Sequence, residues 1–370
     1  MENYKSRLFS KLKQGLRVGK KIIAMSLIGG SLFMLSACGA KKAANVKVSN
    51  GCYVQEYGHS AQSGKGYLAL KVNVKNTTGQ EISVSDSDFK LKKGDKTISA
   101  EDSLSIDGLN DIGYQKLDKD ESVSGYVFFK VDKKDKYDLK FTPKSTDYDS
   151  SKDDNLKAST TEVNASKYKD PGQSAKNAAK QYVEAVFLND KSAQDNNNLE
   201  NNVKEEAKQY HDDFVKGFRE TIDKDAITDQ QADKVFQDYV SDGAKRDEIS
   251  YKIYEAAPNK VTIEVIAKTV NISDIDFDKL MSDFEKDFIN KHKDDDDVDE
   301  EQVEKEAGQY VIDKLPELIS KQEISTDSNS GYQIQLQKKD GKWEVVTTGS
   351  DSDSYSSLRN QFLAGIASSY

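Results

Sequence analysis

An export signal, then an all-β domain, then an α+β domain is the fold class this sequence predicts, and three observations predict it. A short apolar run follows a basic N-terminus. Hydrophobic residues alternate with period two from about residue 46 to 143. From residue 171 the period becomes helical and is interrupted by strand pairs.

The leading segment has three zones. Residues 1–21 carry Lys5, Arg7, Lys11, Lys13, Arg17, Lys20 and Lys21 against a single acid, Glu2. Residues 22–35 are apolar but fall short of the roughly 20 residues that a permanent span needs, so they read as an export-signal core. Ser36, Ala37 and Cys38 follow. The stretch Leu35-Ser36-Ala37-Cys38 resembles a bacterial lipobox. That resemblance implies signal residues 1–37, cleavage between Ala37 and Cys38, and diacylglycerylation of the Cys38 thiol. Two acyl chains at about 0.8 kcal/mol per buried methylene hold a protein stably on a membrane.

After a short tether, residues 38–45, strand patterning begins. Leu68, Leu70, Val72 and Val74 alternate with Ala69, Lys71, Asn73 and Lys75, and Asn76-Thr77-Thr78-Gly79 breaks the run. Ile82 with Val84 and Phe89 with Leu91 alternate again before a Gly94-Asp95 turn. Val123, Gly125, Val127, Phe129 and Val131 form one face of a later strand, and Tyr137, Leu139 and Phe141 form the last. Several short alternating strands in about 100 residues predict a two-sheet sandwich over 46–143. The runs YLALKVNVKNTTGQEISVSDSDFKL and LDKDESVSGYVFFKVDKKDKYDLKF resemble an immunoglobulin-like domain of unknown function common on Gram-positive lipoproteins. The likeness implies a fold and transfers no catalytic residue. Residues 144–170 are rich in Ser, Asp, Lys and Thr and read as a solvated linker.

Beyond Pro171, Ala175, Ala178, Ala179, Tyr182, Val186 and Phe187 make a helical stripe, and Leu199 to Ile222 carries a second. Thr228 with Gln231 is a capping-box signal for a third helix. Residues 249–256 and 261–272 read as a strand pair around Pro258-Asn259. Phe277 to Phe288 and Val303 to Ile319 read as helices, the latter kinked or ended near Pro316. Asp340-Gly341 between Tyr332–Lys338 and Trp343–Thr347 is a hairpin signal, and residues 354–367 read as a closing helix. Helices followed by hairpins ending in YQIQLQKKDGKWEVV resemble the cone-shaped α+β fold of the nuclear-transport-factor-2 superfamily. The stretch 171–370 also resembles a domain of unknown function found on Gram-positive lipoproteins. Because the cone often encloses an apolar pocket, the resemblance points to Tyr182, Phe187, Trp343 and Val345 as candidate pocket residues; the competing reading is that they are simply the core.

Composition narrows the function. The chain has 370 residues and a net charge of −10; removing residues 1–37 leaves 47 basic and 63 acidic side chains, about −16. Such a charge repels phosphate backbones, so nucleic acid is excluded as a partner. Cys52 is the only cysteine besides Cys38, so the acylated chain has no intramolecular disulfide to rely on. His59, His211 and His292 are too scattered for a metal site. Asp295, Asp297, Asp299 and Glu306 match four positions of a calcium-loop template, but Glu300 stands where that loop needs glycine. The acidic run 294–301 therefore reads as a solvated loop. Neither a nucleophile elbow nor a phosphate-binding glycine loop occurs. No cofactor or metal is expected. The sequence points to a non-catalytic interaction or ligand-binding module, tied to the outer face of the membrane through Cys38 and contacting an envelope protein or a small ligand. The competing readings are a hydrolase or isomerase using the cone pocket, and an envelope-assembly factor. Substituting Cys38→Ser should abolish metabolic labelling with radioactive palmitate; labelling that persists in this variant rules out the anchor.

Overall fold

The alternating segments fold as strands: β1 (Lys42–Ala43), β2 (Asn45–Val54), β3 (Lys65–Lys75), β4 (Ile82–Val84), β5 (Phe89–Lys93), β6 (Lys96–Ser99), β7 (Gln115–Leu117), β8 (Ser122–Asp132), β9 (Lys136–Phe141), β10 (Lys144–Ser145), β11 (Leu156–Lys157) and β12 (Ser159–Asn164). The computed structural model describes residues 42–102, 104–146, 156–196, 198–222, 226–293, 299–328, 330–349 and 352–366. The signal, the cleavage point at Ala37 and the anchor Cys38 lie outside the described residues. Antiparallel sheets β2-β3-β8 and β12-β9-β5-β6 share one core, in which Leu68, Leu70, Phe89, Phe129, Leu139 and Phe141 are fully buried. Smaller pairings β10-β4-β7 and β1-β11 complete this β region. Ala69, read from the alternation as outward-facing, is buried as well: Tyr67, Ala69 and Phe128 pack on the other face of the first sheet beneath Leu104 and Ile106. The covering segment pairs with β8 through Ile112 N–H to Tyr126 O, 3.0 Å. A Cβ on Gly125 would lie 2.4 Å from Ile112 Cα, so only glycine lets the two backbones approach this closely.

Two polar side chains hold the turns of this region. Asn76 is fully buried, and its Nδ2 donates to the carbonyls of Gln80 (2.8 Å), Leu117 (2.9 Å) and Asp118 (3.2 Å). Its Oδ1 accepts from Thr78 N (2.9 Å) and Thr78 Oγ1 (2.7 Å), so both ends of the amide are satisfied. Asp88, in the Ser-Asp-Phe-Lys-Leu-like segment, is buried; its Oδ2 accepts from Ser85 N (2.9 Å), and Lys144 Nζ lies 2.6 Å from Oδ1. A buried carboxylate is tolerable only when paired in this way.

The expected linker is corrected over its second half. β12 pairs with β9 along its whole length, Ser159 opposite Phe141 through Asn164 opposite Lys136, and buries Val163. Of its six residues only Val163 is a large apolar one, so the strand shows no sequence alternation; the ladder is set by its partner. The two regions then join directly, as parts of one compact unit. Tyr53 N–H donates to Lys169 O (2.9 Å), and Gln55 and Ala256 exchange backbone hydrogen bonds of 3.0 and 2.8 Å. Gln55 Nε2 also reaches Ile253 O at 2.5 Å. Lys133 Nζ sits 4.8 Å from the Tyr53 ring centroid and 2.5 Å from Asp170 Oδ2. Tyr57 stacks on Tyr254, centroids 4.5 Å apart.

The α+β region comprises α1 (Pro171–Val186), α2 (Lys191–Asp195), α3 (Val203–Ile222), α4 (Asp229–Arg246), β13 (Glu248–Ala256), β14 (Lys260–Val270), α5 (Phe277–His292), α6 (Glu300–Lys321), β15 (Ile324–Ser325), β16 (Tyr332–Lys339), β17 (Lys342–Val345) and α7 (Asp353–Phe362). The sheet runs β13-β14-β16-β17, all antiparallel, with β15 also on β14. Thr228 and Gln231 form the expected capping box of α4. The hairpin turn has φ +49° at Asp340 and +88° at Gly341, the left-handed pair that a two-residue hairpin requires. Helix α6 passes through Pro316 without ending there. Buried Leu315 and Ile319 flank the proline, and their packing outweighs its cost of about 3 kcal/mol. The carbonyls at the end of α6 are capped by Arg246, which donates to Ile319 O (2.9 Å) and to Gln322 O. Helix α7 closes the fold: Gln361 Oε1 accepts from Asp327 N and Tyr332 Oη (2.8 Å each), while its Nε2 donates to Thr269 Oγ1 (2.9 Å) and Ser325 O (3.2 Å). Arg359 pairs with Asp213 of α3. At the end of α4, burial pushes the Asp247 carboxyl up to about 6, Asp242 adds to the shift, and Arg246 opposes it.

Replacing Asn76→Ala leaves three carbonyls without their donor and should lower unfolding free energy by roughly 3 kcal/mol. Urea melts should show this as a shifted midpoint with unchanged slope. For Asp247, the native carboxyl holds its proton more tightly than the unfolded chain does. Its destabilising contribution is therefore absent below about pH 4, grows as pH rises towards 6 and is complete above 6. Asp247→Asn should stabilise the protein by about 1–2 kcal/mol at pH 7.5, allowing for partial solvent screening, and by nothing at pH 3.5. Melts at both pH values check the sign.

Candidate functional site

All four expected pocket residues are buried in the core of the α+β region. Tyr182, Phe187 and Val345 are about 1% exposed. Phe187 stacks on Phe362 with ring centroids 4.9 Å apart, and Tyr182 meets Phe187 edge-on at 6.0 Å. The space between α1 and the sheet is thus occupied by side chains. Tyr182 and Val345 are tied through polar groups: Tyr182 Oη donates to Glu206 Oε2 (2.5 Å), Asn201 Nδ2 donates to Glu206 Oε1 (3.2 Å), and Asn201 also accepts from Val345 N (2.7 Å). Tyr355 Oη joins Tyr182 Oη at 2.8 Å. Burial raises the Tyr182 hydroxyl well above the usual range and Tyr355 to about 12, so both stay protonated and serve as hydrogen-bond partners.

Trp343 is buried in the same core, where that core borders a cleft. Its ring is 5% exposed, with Nε1 donating to Ser174 Oγ (3.0 Å) and Lys338 Nζ 5.1 Å from the ring centroid. It borders an open cleft of about 620 Å³ formed with α1, α2 and residues 196 and 198. Local sequence builds this wall. Asp170 caps α1 by accepting from Gln173 N (3.1 Å), with Pro171 at the first helical position. Asn189, at φ +53°, turns the chain, and Asp190 caps α2 by accepting from Ser192 N (2.8 Å) and Ala193 N (3.3 Å). Those bonds, with one from Ser192 Oγ, hold the Asp190 carboxyl below the ordinary range. Ser174, Asn177 and Gln181 then share the face of α1 that looks into the cleft. Gln181 is 8% exposed, and its Nε2 donates to Ala193 O (3.2 Å) and Asn196 O (2.7 Å). Sequence reasoning missed these amides. Their signal was an uncharged stripe, Ser174-Asn177-Gln181, in a chain with 32% charged residues.

Three other clefts are described. One of about 630 Å³ between α3 and α4 contains His211, whose ring nitrogens lie 3.0 Å from Asp212 and 2.7 Å from Asp233, and Arg219, 2.5 Å from Asp229. Its charges are paired with one another. Clefts of about 430 and 210 Å³ flank the Gln55–Ala256 junction. Burial, with Asp170 adding to it, pushes the Cys52 thiol up to about 11, which keeps it protonated and unreactive at neutral pH. Among the described residues no group of three or more His, Cys, Asp or Glu side chains is arranged to hold a metal. Asp295 and Asp297 lie outside the described residues; Asp299 caps α6 (Gln302 N, 2.7 Å), and Glu306 pairs with Lys291 at 2.6 Å. The Asn-x-Ser/Thr matches at Asn76, Asn164 and Asn271 are turn-formers, each accepting from a backbone N–H two residues on. No described helix is long and apolar enough to cross a membrane.

Comparisons with known proteins agree with this two-region architecture. Residues 42–152 match the domain of unknown function DUF4352, and residues 165–363 match the domain of unknown function DUF5105. The chain is 23% identical over 349 residues to a Bacillus subtilis (strain 168) protein named Uncharacterized lipoprotein YcdA, covering 88% of this chain and 94% of that protein. The crystal structure of the Bacillus subtilis ycdA lipoprotein matches with a TM-score of 0.63 and 21% identity, over 86% of this chain and 96% of the other. The Bacillus subtilis yjhA structure covers 33% of the chain with a TM-score of 0.24. Since the second match spans more than half of its length, the chain belongs to the DUF5105 family of domains of unknown function.

Proposed function

We propose that this protein is a lipoprotein anchored through Cys38 at the outer face of the cell membrane, where it acts as a non-catalytic binding module. The single observation that carries the reading is the junction. The β region and the α+β region are hydrogen-bonded strand to strand through Gln55 and Ala256, so the first acts as a fixed arm for the second. β2 is ten residues long, and at about 3.3 Å per residue it carries the chain roughly 33 Å from Asn45 to the junction. An enzyme would not need such an arm; a module that must meet a partner away from the lipid surface does. The lipobox-like Leu35-Ser36-Ala37-Cys38 and the likeness to a Bacillus subtilis lipoprotein support the anchor.

Two sheets around one core support an immunoglobulin-like sandwich, and helices preceding an antiparallel sheet support a nuclear-transport-factor-2-like cone. The cone is filled by Tyr182 and Phe187, which disfavours the hydrolase and isomerase reading and favours contacts made on the outside of the domain.

Crosslinking on intact cells followed by mass spectrometry tests the proposal. We expect one envelope protein or wall polymer to be recovered with the wild-type chain and lost with Cys38→Ser. Recovery of nothing specific from the anchored protein would sink the reading.

A further inference from the structure

We infer that the groove at the junction of the two regions receives a lysine or arginine side chain from an extended segment of a partner protein. This rests on the reading of the protein as a binding module and names the chemistry of what it binds. The groove, of about 430 Å³, is walled from both sides: Glu56, Ser105 and Asp107 come from the β region, and Glu255, Lys260 and Gln335 from β13, β14 and β16. Part of that wall is the outer face of the sheet. Val261, Ile263, Ile334 and Leu336 turn into the core of the α+β region, so Thr262 and Gln335, which alternate with them and stand opposite each other in the ladder, turn outward. The backbone hydrogen bonds between Gln55 and Ala256 hold both sides in place before a ligand arrives, which limits the ordering cost of binding.

Charge selects the occupant. Three carboxylates, Glu56, Asp107 and Glu255, line the groove against a single cation, Lys260. Glu56 is already engaged: its Oε1 accepts from Ser105 N (3.4 Å), and its Oε2 lies 3.2 Å from His59 Nδ1. Asp107 and Glu255 are exposed, and their side chains have no hydrogen-bond or ion-pair partner among the described residues. In the α3–α4 cleft, by contrast, His211 and Arg219 already neutralise the neighbouring acids. A cation entering the junction groove therefore meets one open carboxylate from each region. An anion would enter against both, and an apolar side chain would strip them of water without replacing it. The aromatic pair beside them favours a long organic cation. Tyr57 follows Glu56 in the chain and Tyr254 precedes Glu255; their rings stack at 4.5 Å, and Tyr57 is still 63% exposed. A lysine or arginine offers an apolar stem for such a ring and a charged head for the carboxylates. A metal ion would need three or more ligands gathered around it, and no such group occurs among the described residues.

Calorimetric titration of the full chain, purified in detergent, with trilysine, triglutamate and maltotriose tests the inference. Trilysine is expected to bind with a dissociation constant of roughly 1 mM. The double variant Asp107→Asn, Glu255→Gln should bind it about tenfold more weakly, with an unchanged melting temperature because both positions are exposed. An acidic chain attracts any polycation, so a second pair removes the same charge elsewhere. Glu285→Gln with Glu304→Gln, exposed on α5 and α6, should leave the affinity for trilysine as it was. No heat from trilysine up to about 50 mM overturns the inference. So does equal weakening in the two double variants, an affinity unaltered in the first of them, or binding of triglutamate or maltotriose in place of trilysine. Failed titrations with successful crosslinking would sink the basic side chain and leave the binding module standing; the converse would sink the envelope partner and leave the groove.

Discussion

Pairing of Gln55 with Ala256 determines how the two regions behave, because it joins the end of β2 to the end of β13 through backbone atoms. Two reciprocal hydrogen bonds contribute about 1 kcal/mol each, and the Tyr57–Tyr254 stack adds a similar amount. The Lys133–Asp170 pair, partly exposed on both sides, adds less than its 2.5 Å separation implies. Together these resist bending at a point where a Ser- and Asp-rich connection would leave the regions free to rotate. Asp170 has a second task, since its other oxygen caps α1. The residue that clasps the β region therefore also starts the helix on which the candidate cleft is built, and the arm and the site are one piece of engineering in the chain.

Elsewhere the structure depends on buried polar side chains that replace missing backbone partners. Asn76 closes a turn of the β region with three donated bonds, Gln361 seals α7 against the sheet with four, and Arg246 ends α6. Each fixes loops that carry few large apolar residues. A low mean hydropathy of −0.77 is compatible with a stable fold for this reason: the apolar side chains are concentrated in two main cores, and the turns are held by amides and guanidinium groups.

How much of this could be read from the sequence depended on whether the signal was local. The capping box of Thr228 and Gln231, the Asp340-Gly341 hairpin and the alternation of Leu68 to Val74 act within a few residues, and each formed the element it predicted. β12 was illegible because its ladder comes from β9 and only Val163 turns inward. The continuity of α6 through Pro316 depends on packing around Leu315 and Ile319, which propensity cannot see. At the site, Tyr182, Phe187, Trp343 and Val345 were chosen for apolar character, and apolar character marked them as core. The roles of the amides at the cleft, Asn177 and Gln181, follow only from which of their ends are already bonded.

Net charge limits what the protein can approach. With about 16 more acidic than basic groups after residue 37, the protein's surface repels anionic headgroups and anionic polymers over distances of about a Debye length. An acidic protein of this kind gains a ligand either by neutralising a cation on its surface or by recognising something uncharged. The α3–α4 groove illustrates the first strategy turned inward, with His211 and Arg219 consumed by Asp212, Asp233 and Asp229.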